Sequence, residues 1–173
     1  MRLGRGVALV AALGGMAGPL AAQAGHGHGA PPAADSARAA DSAFAAVQER
    51  GKQAMGVDQY TSAHRFDPLP DGGRIVLVRD AADTAGVRTI REHMQEIREA
   101  FRKGDFTIPG FVHDRDVPGT RVLAAKRSEL RIVYRPVAGG GELQLATRDP
   151  EVVKAIHEFL AFQRMDHRVD HGH

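Results

Sequence analysis

The residues of this chain best equipped for chemistry are its histidines, nine of them, in a sequence without cysteine. They fall into three groups. His26 and His28 follow Ala24 in the run Gly-His-Gly-His-Gly. Cleavage after Ala24 would leave a free amine, an amide nitrogen and an imidazole as a planar nitrogen set, which suits Cu(II) or Ni(II). His167, His171 and His173 give the other end a similar soft ligand cluster. Histidine-rich termini are a compositional signal of metal binding, with a solubilising tail as the alternative. The third group, His64, His93, His113 and His157, lies within the body of the chain. An interior histidine is commonly satisfied by a carboxylate or carbonyl, and Asp58 or Asp67 is the expected partner for His64. Neutral imidazole combined with the thioether of Met55 or Met94 would instead make a soft site suited to copper. Met55, His64 and His113 are the core candidates. His93 and His157 are additional or supporting ligands, and His26, His28 and His167 are terminal capture groups.

Other chemistries find less support. Without cysteine there is no disulfide framework, no thiolate zinc site, no covalently attached c-type haem and no lipid-anchored N-terminal Cys. No Gly-x-Ser-x-Gly elbow is present, and Ser128 stands in a charged linker. Gly139–Gly141 lies between two predicted strands rather than between a strand and a helix, so it reads as a hairpin. No nucleotide-binding fingerprint occurs. Glu92, Glu96 and Glu99 alternate with Arg91, Arg98 and Arg102 as a solvated, ion-paired helix face.

The chain that must position these groups has 173 residues, 23 Lys+Arg against 21 Asp+Glu and a pI near 9.3. Residues 1–24 read as a secretory signal: Arg2 and Arg5, the apolar stretch Gly6–Met16, the break at Pro19, then Ala22-Gln23-Ala24. Losing them removes Arg2 and Arg5, so the remaining acids and bases cancel and the histidines govern the charge. A nucleic-acid binder is not expected, because phosphate affinity needs an excess of Lys and Arg. No later apolar run is long enough for a membrane anchor. The periplasm or the exterior of a bacterial cell is the expected location.

Residues 25–34 form a Gly/Pro/Ala leader, 35–166 a single domain, and 167–173 a His-rich tail. Periodicity predicts a helix over 35–55, strands at 62–69 and 74–79 around Pro70-Asp71-Gly72-Gly73, and a helix from Asp83 or Thr84 to Gly104. That helix carries the stripe Val87, Ile90, Met94, Ile97 and Phe101. Residues 105–120 contain Pro109, Gly110, Pro118 and Gly119 and are predicted to be a loop, with His113 its most accessible histidine. A helical turn at 121–127, strands at 130–137 and 142–147, and a helix opened by Asp149-Pro150 complete the domain. Residues 66–73 line up with 134–141 at a constant offset of 68, with Phe66 falling on Tyr134, Ile75 on Leu143 and Leu77 on Leu145. Segments 62–103 and 130–166 therefore read as a structural repeat, the alternative being two unrelated hairpins with the same turn chemistry. The expected fold is α+β: an N-terminal helix, then ββα-ββα, giving a four-stranded, mainly antiparallel sheet with helices on one face.

The stretch Met55-Gly56-Val57-Asp58-Gln59-Tyr60-Thr61-Ser62-Ala63-His64-Arg65-Phe66 resembles a group of small secreted bacterial proteins. In that group the region looks like Met-Gly-Phe-Asp-Gln followed by Thr-Thr-His-His-Phe. Similarity continues through Gly104-Asp105-Phe106, Val112-His113-Asp114, Val117-Pro118-Gly119, Ile156–Leu160, Phe162-Gln163 and Asp166-His167. Arg65 stands where the group has its second histidine. Members often carry the label aspartate carbamoyltransferase, which this chain does not fit. It lacks the Ser-Thr-Arg-Thr phosphate loop of that enzyme's catalytic chain and the four zinc-binding cysteines of its regulatory chain.

The leading expectation is a periplasmic, non-enzymatic protein that binds copper or another divalent transition metal through His and Met. One alternative is a structural or partner-binding domain, with a periplasmic protein docking on an exposed apolar patch at Phe106, Ile108 and Phe111. Another is an enzyme using His64 or His113 as acid or base.

Overall fold

The computed structural model describes residues 33–169. The expected signal, most of the expected leader and the last four residues, with His26, His28, His171 and His173, lie outside them. Helix α1 spans Ala33–Met55, and a 3-10 turn at Gln59–Thr61 leads into strands β1 (Ser62–Leu69) and β2 (Gly72–Arg79). Helices α2 (Thr84–Arg102), α3 (Thr107–His113) and α4 (Thr120–Ala125) follow. Strands β3 (Arg131–Val137) and β4 (Gly140–Ala146) and helix α5 (Pro150–Asp166) complete the order. The fold is α+β, with one antiparallel sheet in the order β1-β2-β4-β3.

Local signals set the two main helices. The Asp83 carboxylate accepts from the Gly86 N–H at 2.9 Å, and the Asp149 carboxylate accepts from Glu151 at 2.8 Å, one residue beyond Pro150 at the first helical position. Each is an N-cap satisfying donors that the helix itself leaves free. Val87, Ile90, Met94 and Phe101 bury one face of α2, and Val152, Ile156, Phe159 and Leu160 one face of α5. Both faces meet the sheet side that carries Phe66, Ile75, Leu77, Ile132, Leu143 and Leu145.

The offset of 68 governs the hydrogen-bond register as well as the sequence. The β1–β2 pair Phe66↔Ile75 becomes the β3–β4 pair Tyr134↔Leu143, and Asp67↔Arg74 becomes Arg135↔Glu142. In the central β2–β4 ladder, Ile75 pairs with its own counterpart Leu143. A pseudo-twofold axis therefore passes between those two residues. On the outer face the related pairs are both ionic with their signs exchanged: Arg74 binds Asp67 at 2.5 Å and Arg135 approaches Glu142 at 3.4 Å.

The halves are interlaced. Helix α5, from the second half, lies on β1 and β2, whereas α2, from the first, lies chiefly over β3 and β4. Each helix also clamps the hairpin beneath it. His157 on α5 donates Nε2–H between the carbonyls of Leu69 and Gly72, at 2.9 and 3.0 Å. Arg91 on α2 donates to the carbonyls of Val137 and Gly140, both at 3.0 Å. These acceptors are the same two positions of each hairpin, 68 residues apart. Gly73 lets α5 close down, since a Cβ there would overlap Leu160, and at the equivalent Gly141 a Cβ would crowd Tyr134 of β3 and stand 3.4 Å from Met94 of α2.

The predicted loop 105–120 is partly helical. Asp105 accepts from the N–H and hydroxyl of Thr107, at 2.9 and 2.7 Å. Pro109 is the third residue of α3, where a backbone N–H would have no partner within the helix. Proline therefore interrupts nothing there, and Asp114, left-handed at φ 52°, ends the helix. Pro68 and Pro136, equivalent under the offset, sit on the two edge strands, where proline discourages pairing with other chains. No described helix is long and apolar enough to cross a membrane.

Candidate functional site

Four segments bring polar side chains to one end of the sheet–helix layer. Strand alternation turns His64 inward on the same side as Phe66. Spacings of three and four on α5 put Gln163, Asp166 and His167 on one side, and spacing of four on α1 does the same for Gly51 and Met55. Helix α3 supplies Pro109, Val112 and His113. Together they enclose a cavity of about 80 Å³ whose lining includes Met55, Gln59, His64, His93, His113 and His167. The walls are tied across the fold: Arg50 Nε donates to the Val112 carbonyl at 2.8 Å, and Arg164 donates to the Phe66 carbonyl at 2.5 Å.

Within the cavity the imidazoles form a chain. His64 and His167 stack with centroids 4.9 Å apart, and His113 meets His167 edge-on at 5.1 Å. Phe66 stacks on the same His167 ring at 5.6 Å. His93, next to His64 along the cavity wall, faces Glu96 at 3.9 Å. At the other end His113 Nδ1 is hydrogen-bonded to the Asp166 carboxylate, and its Nε2 lies 2.9 Å from Gln163. With the Gln163 amide turned so that its NH2 faces the ring, His113 donates Nδ1–H to Asp166 and accepts at Nε2. A carboxylate behind a histidine fixes both its tautomer and its direction.

Burial decides the charge of the other rings. It pushes His64 down to about 4, helped by the neighbouring His93, and His167 to about 2, helped by His64 and His113. It also lowers His93, against the opposing pull of Glu96. At neutral pH all three are uncharged, with lone pairs available. His93 Nδ1, His167 Nδ1 and Gln59 Oε1 are buried without a hydrogen-bond partner. Each such atom costs about 1–3 kcal/mol, so the cavity holds polar capacity that the protein itself does not use.

Five of the expected site residues thus share one cavity: Met55, His64, His93, His113 and His167. Two stand differently from expectation. His113 was predicted to be the accessible one, yet its side chain is 1 % exposed, because α3 packs against α1 and the end of α5. His167, predicted to open a mobile tail, is buried as the residue capping α5. His157 is not in the cavity and serves the β1–β2 hairpin. Neither expected partner of His64 meets it: Asp58 accepts from the Tyr60 N–H at 2.8 Å, and Asp67 is taken by Arg74 and Arg65.

Sequence reasoning passed over Asp166, Gln163 and Gln59. The helical spacing of Gln163, Asp166 and His167 was a usable signal for the first two. Gln59 had another, since buried Gly51 leaves room in α1 for the Gln59 amide, which a Cβ at that position would overlap. The apolar patch expected for a partner reduces to Phe111, 49 % exposed. Phe106 instead stacks on Phe101 at 4.3 Å, and Ile108 lines the cavity.

Among the described residues, no group of three or more His, Cys, Asp or Glu is already arranged around a point that could hold a metal ion. The stacked rings of His64 and His167 lie face to face rather than aimed at a common centre. Comparison of the chain with protein-family models, curated proteins and solved structures returns no match.

Proposed function

We propose that this protein is a non-enzymatic, periplasmic or secreted binder of a transition metal, copper foremost, held through histidine and methionine. The observation that carries the reading is the gathering of His64, His113, His167 and Met55 from four separate elements into one cavity whose burial keeps His64 and His167 neutral. Uncharged imidazole and thioether are the donors that soft copper takes. The unpartnered Nδ1 of His167 is a ready ligand atom, and Asp166 would orient His113 from behind. His93 stands behind His64 as a supporting ligand, and His26 and His28 would capture metal outside the domain.

Loading requires the stacked His64 and His167 rings to turn until their nitrogens lie about 2.0–2.1 Å from the ion. Ligation by His113 further requires the Gln163 amide to leave its Nε2. An acid–base enzyme is a poorer fit, because the His113 side chain is sealed from solvent.

The test is a chelator competition with Cu(I), Cu(II), Zn(II) and Ni(II), using the mature protein with His26, His28, His171 and His173 replaced by serine. Retention of one tightly bound equivalent supports the internal site. Loss of all but millimolar binding confines metal capture to the termini and rejects the cavity.

A further inference from the structure

The pseudo-twofold axis gives the histidine cavity a counterpart. The offset carries His64 to Ile132 and Arg98 to Asp166, so the end of α2 stands over β3 as the end of α5 stands over β1. Around His64, helices α1 and α3 close the site. At the opposite end the counterpart is an open depression of about 500 Å³ lined by Arg98, Arg102, Ser128, Glu129 and Arg131.

We propose that this depression binds a phosphate-type oxyanion, as inorganic phosphate or a small phosphate monoester. Its three guanidiniums are under-used. The Nε–H of Arg98 is buried with no acceptor, while its NH2 reaches Glu99 at 3.3 Å. Arg102 leans on that same Glu99 at 3.6 Å, so one carboxylate serves two cations. The exposed side chain of Arg131 lines the depression and has no hydrogen-bond or ion-pair partner among the described residues. The planar guanidinium fork matches phosphate oxygens in pairs, and Ser128 adds a hydroxyl donor. Three cations against Glu99 and Glu129 leave a positive balance for a dianion. The carbonyls of Glu99, Ala100 and Phe101 at the end of α2 are capped by the N–H groups of Lys103, Gly104 and Asp105, which weakens the negative field that this helix end presents to an anion.

The test titrates inorganic phosphate, and separately glycerol phosphate, into the mature protein while following backbone amide and arginine Nε–H resonances. Saturable shifts centred on Arg98, Ser128 and Arg131 are expected. Affinity should fall at least about tenfold in Arg102→Gln/Arg131→Gln, given the strength of charge-assisted hydrogen bonds. Both substituted side chains are exposed, so the variant keeps its fold. Tighter binding of the monoester assigns the ligand to a phosphorylated small molecule, and equal binding assigns it to the free ion. Shifts that fail to saturate, spread over arginines elsewhere, or persist unchanged in the double variant overturn the site.

Discussion

His64 and His167 lie with their rings 4.9 Å apart and within 17° of parallel, one from the first strand and the other from the cap of the last helix. Two imidazoles stacked in a buried layer are stable only while uncharged. That single contact links the fold, its pH response and the metal chemistry proposed for the cavity.

The pH response follows from the sign of the shifts. Burial lowers both rings, so the folded protein resists protons that the unfolded chain accepts. Above the ordinary histidine value near 6.5 both states are neutral and stability is full. As pH falls below 6.5 stability declines, and for His64 the decline levels off only below about 4. Urea unfolding at pH 7.5 and pH 5 should differ by on the order of 2 kcal/mol for each of these histidines. His167→Phe should remove its share of the difference. A stability unchanged from pH 7.5 to pH 5 would show that the rings are not buried as described.

His157 separates structural from ligating histidines. Its Nε2–H holds the Leu69 and Gly72 carbonyls, so His157→Ala should cost about 1–2 kcal/mol of stability. Copper affinity of the folded variant should be unchanged, and a fall in affinity alongside that of His64 variants would return His157 to the site.

Gly51→Ala puts local propensity against packing. An exposed helical Gly→Ala change gains up to about 1 kcal/mol. Here the new Cβ overlaps the Gln59 amide beside the cavity, and a net loss of about 1–3 kcal/mol is expected. The double variant Gly51→Ala/Gln59→Ala should recover most of it, as thermal or urea denaturation would show.

Asp166→Asn keeps the shape behind His113 but removes the charge that orients it. Metal affinity should drop about 10–100-fold, read by the same chelator competition. No change would mean that His113 is not a ligand.

Much of the fold was legible because local and periodic signals agree with it. Inward residues alternate along β1 and β3, Asp83 and Asp149 announce their helices, and the offset of 68 pairs the two hairpins. The exchange of α2 and α5 between the halves was not legible, since either hairpin offers either helix an apolar face. The same limit hid much of the site. Pro109 and Gly110 suggest a loop, although proline in a first helical turn breaks nothing. The polar residues after Met165 suggest a tail, although α1 and α3 fold over His167. The link between His113 and Asp166 joins segments far apart in the chain, and no spacing rule reaches across that distance.

The most direct measurement is a long-range ¹H–¹⁵N correlation spectrum of the histidine rings, recorded before and after one equivalent of Cu(I). The ring nitrogens of His64, His113 and His167 should shift together with the Met55 methyl signal, while those of His157 stay in place. Shifts confined to His26, His28, His171 and His173, with His64 and His167 unmoved, would contradict an internal metal site.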